Sequence, residues 1–181
     1  MTRAISNEPL EGDQSNIASS KPDQAAAICW RLSQQGEIEI LLISSLGSGR
    51  WILPKGHLQK RELSFRAAQR EALEEAGISG KIRKKAVGYF RYKKDGRNEL
   101  TVAIHLLKVF SDNEIHPELG QRRKVWVAPN DASLLVDEPE LKTLLGSLEI
   151  QSALTSQDRQ ALFSDAEPKP APTQNIAAAA F

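Results

Sequence analysis

Residues 56–78 read GHLQKRELSFRAAQREALEEAGI, and this stretch limits the fold more than any other part of the chain. Laid on a helix at roughly 100° per residue, Glu71, Glu74 and Glu75 fall within one arc of roughly 100°. Phe65, Ala72, Leu73 and Ala76 fall within a separate arc of similar width. The spacing predicts a helix from Ser64 to about Ala76, stopped by Gly77 in a C-capping position. Its apolar arc would pack on a sheet while the other side gathers three carboxylates. Like charges this close repel one another and weaken a helix. A divalent cation removes the repulsion, and Mg²⁺ takes a few carboxylates together with water and substrate phosphate. Taken alone, an EALEE stretch is more often a solvated acidic face, so the flanking residues decide its meaning.

Around this segment the chain reads as one domain. Its 181 residues, 40% hydrophobic and 26% charged, have room for one core and short appendages. Strands are expected at 25–32 and 37–44, joined by a turn at Gln34-Gln35-Gly36, then at 51–53 up to Pro54. The loop 55–62 leads into the helix, and further strands are expected at 82–92, 99–110 and 124–127. A second helix is expected at 138–148 and a short third one at 156–163. Residues 1–24 are polar with Pro9 and Pro22 and read as a flexible arm; 25–148 form the domain. Residues 149–166 read as a helical extension and 167–181, rich in Pro and Ala, as a disordered tail.

The formal net charge of +1 provides no global field for nucleic acid or an anionic membrane, so any basic site must be local. The single cysteine, Cys29, excludes an internal disulfide, and its apolar neighbours make it a buried thiol. No apolar run approaches the roughly 20 residues needed to span a bilayer, and no signal segment is visible at the amino terminus, so a cytoplasmic location is expected.

The stretch from Gly56 resembles the Nudix box position for position: Gly56, Glu62, Arg70, Glu71, Glu74, Glu75 and Gly77 stand at the fixed positions, with Ala72 and Ile78 at the aliphatic ones. At average residue usage such a match arises by chance with a probability on the order of 10⁻⁷. The resemblance to the Nudix hydrolases implies an α/β fold: an α/β/α sandwich with a mixed β-sheet, in which the box forms a loop–helix–loop motif. It implies that the Gly56 carbonyl and the carboxylates of Glu71, Glu74 and Glu75 hold Mg²⁺ or Mn²⁺, and that these glutamates are catalytic. Arg70 and Glu62 resemble the family's structural salt bridge. A glycine at 56 also suits a carbonyl that must turn toward an ion. The general base is left open among Glu75, Glu71 and an acid outside the box, for which Glu118 is the candidate. Lys60-Arg61 depart from the family pattern, standing where a Pro-Gly turn is common.

The implied activity is metal-dependent hydrolysis of a phosphoanhydride bond, in which metal ions neutralise the phosphate oxygens and acidify a bound water. Arg31, Arg50, Lys55, Arg91, Lys93 and Arg122 are the candidate phosphate-binding cations. The order of box, FRYKK and RRKVWV resembles the branch that includes diphosphoinositol polyphosphate and diadenosine polyphosphate hydrolases. The expected partner is therefore a small diphosphate or polyphosphate. Two alternatives stand beside this reading: an RNA 5′-pyrophosphohydrolase, which needs a basic channel, and a non-catalytic diphosphate-binding Nudix-fold module, which would usually lose box carboxylates. Trp126 is weighed as core against a base-stacking role, and His57, His105 and His116 receive no role. Oligomeric state is not legible.

Overall fold

Alternate residues of the first strand separate two kinds of surface. Ala25, Ala27 and Cys29 face one side, and Ala26, Ile28 and Trp30 the other. The computed structural model describes residues 21–94, 98–147, 150 and 152–154. The elements are β1 (Gln24–Leu32), β2 (Ile38–Ser44), β3 (Trp51–Ile52), β4 (Lys55–His57), α1 (Ser64–Ala76), β5 (Ile78–Ile82), β6 (Gly88–Lys94), β7 (Asn98–Asp112), β8 (Lys124–Val127), α2 (Pro129–Leu135) and α3 (Pro139–Leu145). Among the described residues the eight strands make one mixed sheet, with β1 parallel to β7 and the other pairs antiparallel.

The pairing registers show how the sheet opens. β2 pairs with β1 only over residues 38–40 and then with β3 over 43–44, while β8 holds its opposite edge over 40–43. Likewise β1 pairs with β2 near its end and with β4 at its start, opposite β7. The segment 51–57 is thus wedged between two diverging strands, and the Ala27 amide donates to the Pro54 carbonyl within the wedge. The wedge carries Gly56 into the sheet, directly beneath α1.

Helix α1 lies on the small-residue side. Its buried positions are Ala67, Ala68, Ala72, Glu75 and Ala76, which meet Ala25, Ala27 and Cys29 together with Leu41, Ile43 and Ile78. Alanine facing alanine lets the helix axis approach the sheet closely. On the other face, α2 and α3 cover Ile28, Trp30, Ile40, Phe90 and Ile104 with Ala132, Leu141 and Leu145. One helical layer on each side of a mixed sheet is the sandwich anticipated from the sequence. His105, buried on β7, pins the start of α1: its Nδ1 lies 3.1 Å from the Arg83 carbonyl and its Nε2 3.0 Å from Ser64 Oγ. Nδ1 must therefore carry the proton and Nε2 accept from the hydroxyl. Burial holds this imidazole below its ordinary range.

The structure differs from the sequence reading in several places. The strand expected at 82–92 is two strands, Ile78–Ile82 and Gly88–Lys94, which share one edge of β7 end to end. Residues 55–57, read as loop, pair with β1. The helix Pro129–Leu135 was not anticipated, because a seven-residue segment shows too few periods to read. The helix expected to reach 148 ends at Leu145. Leu73, assigned to the packing arc, is 42% exposed, while Glu75 is buried. The sheet-facing side is centred on Ala68, Ala72 and Glu75, which lie within about 60° of one another. The fold also reaches past the expected boundaries. Gln24 begins β1, the Asp23 carboxylate accepts from the Thr101 amide, and Ile150 and Leu154 are buried in the α2–α3 core. Residues 1–20 of the arm, the helix expected at 156–163 and the tail 167–181 lie outside the described residues. No described helix is long and apolar enough to cross a membrane.

Among the described residues Arg61 is the sole non-glycine with positive φ, at 63°. It stands at the departure from the Pro-Gly turn noted above. A left-handed backbone costs a side-chain-bearing residue roughly 1–2 kcal/mol, against roughly 0.5–1 kcal/mol of extra chain entropy lost by glycine. Arg61→Gly is therefore expected to stabilise the protein by about 0.5–1 kcal/mol, read as a higher midpoint in urea unfolding, and Arg61→Val to destabilise it. An unchanged or lowered midpoint for Arg61→Gly would mean the Arg61 side chain offsets its backbone strain.

Candidate active site

Arg70 organises the loop side of the box. Its Nε donates to Glu62 Oε1 at 3.1 Å, Nη2 to Glu62 Oε2 and to the His57 carbonyl, both at 3.0 Å. Nη1 donates to Glu71 Oε1 at 2.6 Å and to Glu74 Oε2 at 3.1 Å. These bonds use all five guanidinium N–H groups. Glu62 also accepts the Gln59 amide at 2.8 Å, so one side chain of the helix closes the whole loop 57–62. The hydrogen bonds from Arg70 hold the Glu62 carboxyl below the usual carboxylate range.

Glu75 occupies the seam between helix and sheet. Its Oε2 accepts the Lys55 amide at 2.8 Å and its Oε1 accepts from Arg122 Nη2 at 2.5 Å. Burial pushes its carboxyl up to about 7, against the opposing pull of Arg122 and the Lys55 amide. Glu71 is also raised, first by burial, which outweighs Arg70, and then by the negative charges of Glu74 and Glu118.

The C-terminal end of α1 assembles the other wall. Its last carbonyls accept from a single following segment: Glu74 from the Glu118 amide and His116, Ala76 from Lys124 Nζ, and Gly77 from the Asn113 amide and side chain. The cap Gly77 has φ of 71°, and a side chain there would collide with the Asn113 carbonyl and the His116 ring. Capping thus draws residues 113–124 onto the helix, delivering Glu118 and Arg122 to Glu75. Arg122 Nε pairs with Glu118 Oε2 at 2.5 Å and its Nη1 with the Ser44 carbonyl at 3.1 Å.

Gly56, Glu62, Arg70, Glu71, Glu74, Glu75, Glu118 and Arg122 therefore come together. Glycine at 56 has a steric reason beside the one inferred from sequence. A Cβ there would overlap the Glu71 carboxylate, so the constraint is close approach by a side chain. Arg122, expected to meet phosphate, has a largely buried guanidinium with each nitrogen bonded to a protein acceptor. Arg31 pairs with Glu39 at 2.9 Å and covers the Trp126 ring. Arg50 contacts Asp137 at 3.4 Å, and Arg91 lies near Glu140 and Glu99. Lys93 is exposed on β6, opposite Glu99. Lys55 sends its ammonium to the Tyr92 ring and hydroxyl, on the face opposite α1, where Tyr92 donates to Gln24 Oε1. The Arg122–Glu75 contact was missed because 47 residues separate the partners; only the i,i+4 spacing of Glu118 and Arg122 hinted at it.

Five carboxylates (Glu62, Glu71, Glu74, Glu75, Glu118) share this region with two guanidiniums (Arg70, Arg122), a formal excess of three negative charges among the groups named. Hard oxygen donors in negative excess and partly desolvated suit Mg²⁺ or Mn²⁺ in charge and in donor type. As they stand, no three His, Cys, Asp or Glu side chains among the described residues group around a common point, and Arg70 bridges Glu71 and Glu74.

A family model described as the NUDIX domain matches residues 22–146. Diphosphoinositol polyphosphate phosphohydrolase 3-beta of Bos taurus is 32% identical over 110 residues, covering 60% of this chain and 65% of that protein. Nudix hydrolase 21, chloroplastic, of Arabidopsis thaliana is 38% identical over 100 residues, 54% of this chain and 50% of that one. The matched stretch thus spans about half to two thirds of these relatives. The crystal structure of a C. elegans Ap4A hydrolase superposes with a TM-score of 0.61 at 26% identity, covering 74% of this chain and 98% of that one. A NUDIX hydrolase from Nitrosomonas europaea, at 19% identity and TM-score 0.56, shares the fold over 74% of this chain and 90% of its own.

The Gly56 geometry separates site damage from fold damage. In Gly56→Ala the new methyl displaces the end of a flexible side chain, so stability should change little. Hydrolysis of a diphosphate, the activity expected from the sequence, should fall about 10²-fold, since a 1 Å misplacement can cost that much. Gly80→Ala is the contrast: its methyl meets the Lys108 backbone carbonyl, and stability should fall. Equal activity in Gly56→Ala and wild type, in rate assays paired with thermal melts, would remove Glu71 from the reacting centre.

Proposed function

The chain belongs to the Nudix family, and from that premise we propose that it is a metal-dependent pyrophosphohydrolase acting on a small polyphosphorylated molecule. The observation that carries the reading is the cluster built by Arg70 and Arg122. It retains every box carboxylate, half-buried and in negative excess, at the seam where Gly56 enters the sheet. A non-catalytic module has no need to hold so many mutually repelling carboxylates together.

The Gly56 carbonyl, Glu71, Glu74 and Glu75 are the residues that would hold Mg²⁺ or Mn²⁺. Bound there, the metal supplies charge neutralisation for the phosphate oxygens and a more acidic water. The protein's own part is positioning. Arg70 keeps the loop 57–62 closed against the helix, and the Lys55 amide with Arg122 fixes the Glu75 carboxylate. Phosphoryl transfer needs little more than orientation and charge stabilisation. Glu75, Glu71 and Glu118 are the candidate groups to accept the water's proton.

The substrate class rests on similarity: the relatives named as diphosphoinositol polyphosphate phosphohydrolases and the C. elegans Ap4A hydrolase support a diphosphoinositol polyphosphate or a dinucleoside polyphosphate. Lys55, beside Tyr92 and one residue before Gly56, is the candidate cation nearest the box along the chain. The ion pairs of Arg31, Arg50 and Arg91 weaken the case for a dedicated ring of phosphate-binding cations.

A phosphate-release screen with Mg²⁺ and Mn²⁺ over diadenosine polyphosphates, diphosphoinositol polyphosphates, nucleotide sugars and triphosphorylated RNA tests both levels. Activity should vanish with chelator. Glu74→Gln and Glu75→Gln should each lower turnover by about 10² or more with the fold retained. Undiminished hydrolysis in excess EDTA, or near-normal rates in both variants, would sink the pyrophosphohydrolase reading. A preference for a nucleotide sugar or RNA would overturn the substrate class alone.

A further inference from the structure

Arg122 was expected to meet substrate phosphate, yet its side chain is only 8% exposed and each of its donor nitrogens is bonded to protein: Nε to Glu118, Nη1 to the Ser44 carbonyl, Nη2 to Glu75. The next residue is fixed as well: Ser44, the last residue of β2, donates its amide to the Arg123 carbonyl, and its hydroxyl accepts the Arg123 amide, each at 2.9 Å. The guanidinium is therefore aimed from the end of the sheet. Glu75 is gripped on both oxygens, by Arg122 on one and by the Lys55 amide on the other.

We propose that Arg122 is a positioning residue for Glu75, with Glu118 balancing its charge, and that the triad Glu118–Arg122–Glu75 sets the orientation in which Glu75 meets the metal. The proposal rests on the metal-dependent reading above. Geometry makes the role specific to arginine. The three acceptors lie around one planar fork, which a lysine ammonium, a single point charge, cannot span. Glu75 is 9% exposed at its side chain, and Arg122 and the Lys55 amide hold its carboxylate at the seam between α1 and the wedge 51–57. Without the fork only the Lys55 amide holds that carboxylate, at one oxygen.

The test uses the full chain as wild type, Arg122→Gln, Arg122→Lys and Glu118→Gln. Two quantities are read: Mn²⁺ affinity by calorimetry or electron paramagnetic resonance, and kcat and KM with diadenosine tetraphosphate as probe. Arg122→Gln should weaken Mn²⁺ binding by about 10- to 100-fold, the range for groups that orient metal ligands. Its kcat should fall by a similar factor while KM moves less than about threefold. Arg122→Lys should fail to recover either quantity, and Glu118→Gln should weaken Mn²⁺ binding by no more than about tenfold. The sign of the first effect is decisive. A cation that merely repelled the metal would, on removal, let Mn²⁺ bind more tightly, and that result overturns the proposal. So does a raised KM with unchanged kcat, which marks a substrate contact, or full recovery by lysine, which marks bare charge. Should Arg122→Gln fail to fold, the lysine and Glu118 variants decide by the same criteria. A wild type that binds Mn²⁺ yet hydrolyses no phosphoanhydride defeats the proposed function while the Mn²⁺ arm still judges the positioning role. A wild type that binds no Mn²⁺ defeats both.

Discussion

The close approach of α1 to the sheet is the constraint on which the remaining geometry depends. Ala67, Ala68, Ala72 and Ala76 meet Ala25, Ala27 and Cys29, so over β1 no long side chain holds the two layers apart. Only at that separation can Glu75 reach the Lys55 amide and Glu71 come against Gly56. A larger residue at Ala72 would force the helix outward, and overpacking a filled core ordinarily costs about 1–3 kcal/mol. The damage to the carboxylates would be out of proportion to that cost, because their contacts are short and directional. The split between β1 and β2 completes the arrangement by admitting the segment 51–57 into the sheet at the height of the last two turns of α1.

Close packing brings carboxylates together, and the two arginines make that tolerable. Arg70 faces the loop and binds Glu62, Glu71 and Glu74; Arg122 faces the sheet and binds Glu75 and Glu118. The Glu75–Arg122 pair is nearly dry, and breaking such a pair from one side typically costs about 3–5 kcal/mol, mostly because the other charge is stranded. The pair is therefore weak evidence for stability and stronger evidence for a fixed orientation. The negative charge left over after both arginines are counted is what a divalent cation would answer.

The two walls of the site are organised by different physics. On the loop side, a single guanidinium satisfies backbone and side-chain acceptors over residues 57–62. On the far side, the orphan carbonyls at the end of α1 do the work. A helix leaves its last carbonyls without intrahelical partners, and here Asn113, His116, Glu118 and Lys124 supply the donors. The same segment could not have been recruited by hydrophobic burial, since Ile115 and Leu119 are exposed.

The box segment was legible from the sequence because its signals are local. The 3.6-residue period of α1, the stop at Gly77 and the gathering of Glu71, Glu74 and Glu75 on one arc all follow from spacing along one helix, while the pairing of Glu62 with Arg70 was implied by the family resemblance. The sandwich was legible too, since its strands carry alternating or continuous apolar runs. The rest required the tertiary structure. Spacing alone gave Leu73 a buried face and Glu75 an open one; the sheet reversed both, because small residues allow closer packing than leucine and Glu75 finds donors inside. Side-chain identity could not tell which cations have acidic neighbours in the fold, as Arg31, Arg50 and Arg91 have in Glu39, Asp137 and Glu140. Arg122 reached Glu75 only because β8 and the end of β2 exchange backbone hydrogen bonds. The sequence determined which residues could bear the chemistry, through local periodicity; the tertiary structure decided which of them meet, because pairing across 47 residues is set by strand register and packing distance, neither of which is written in any one segment.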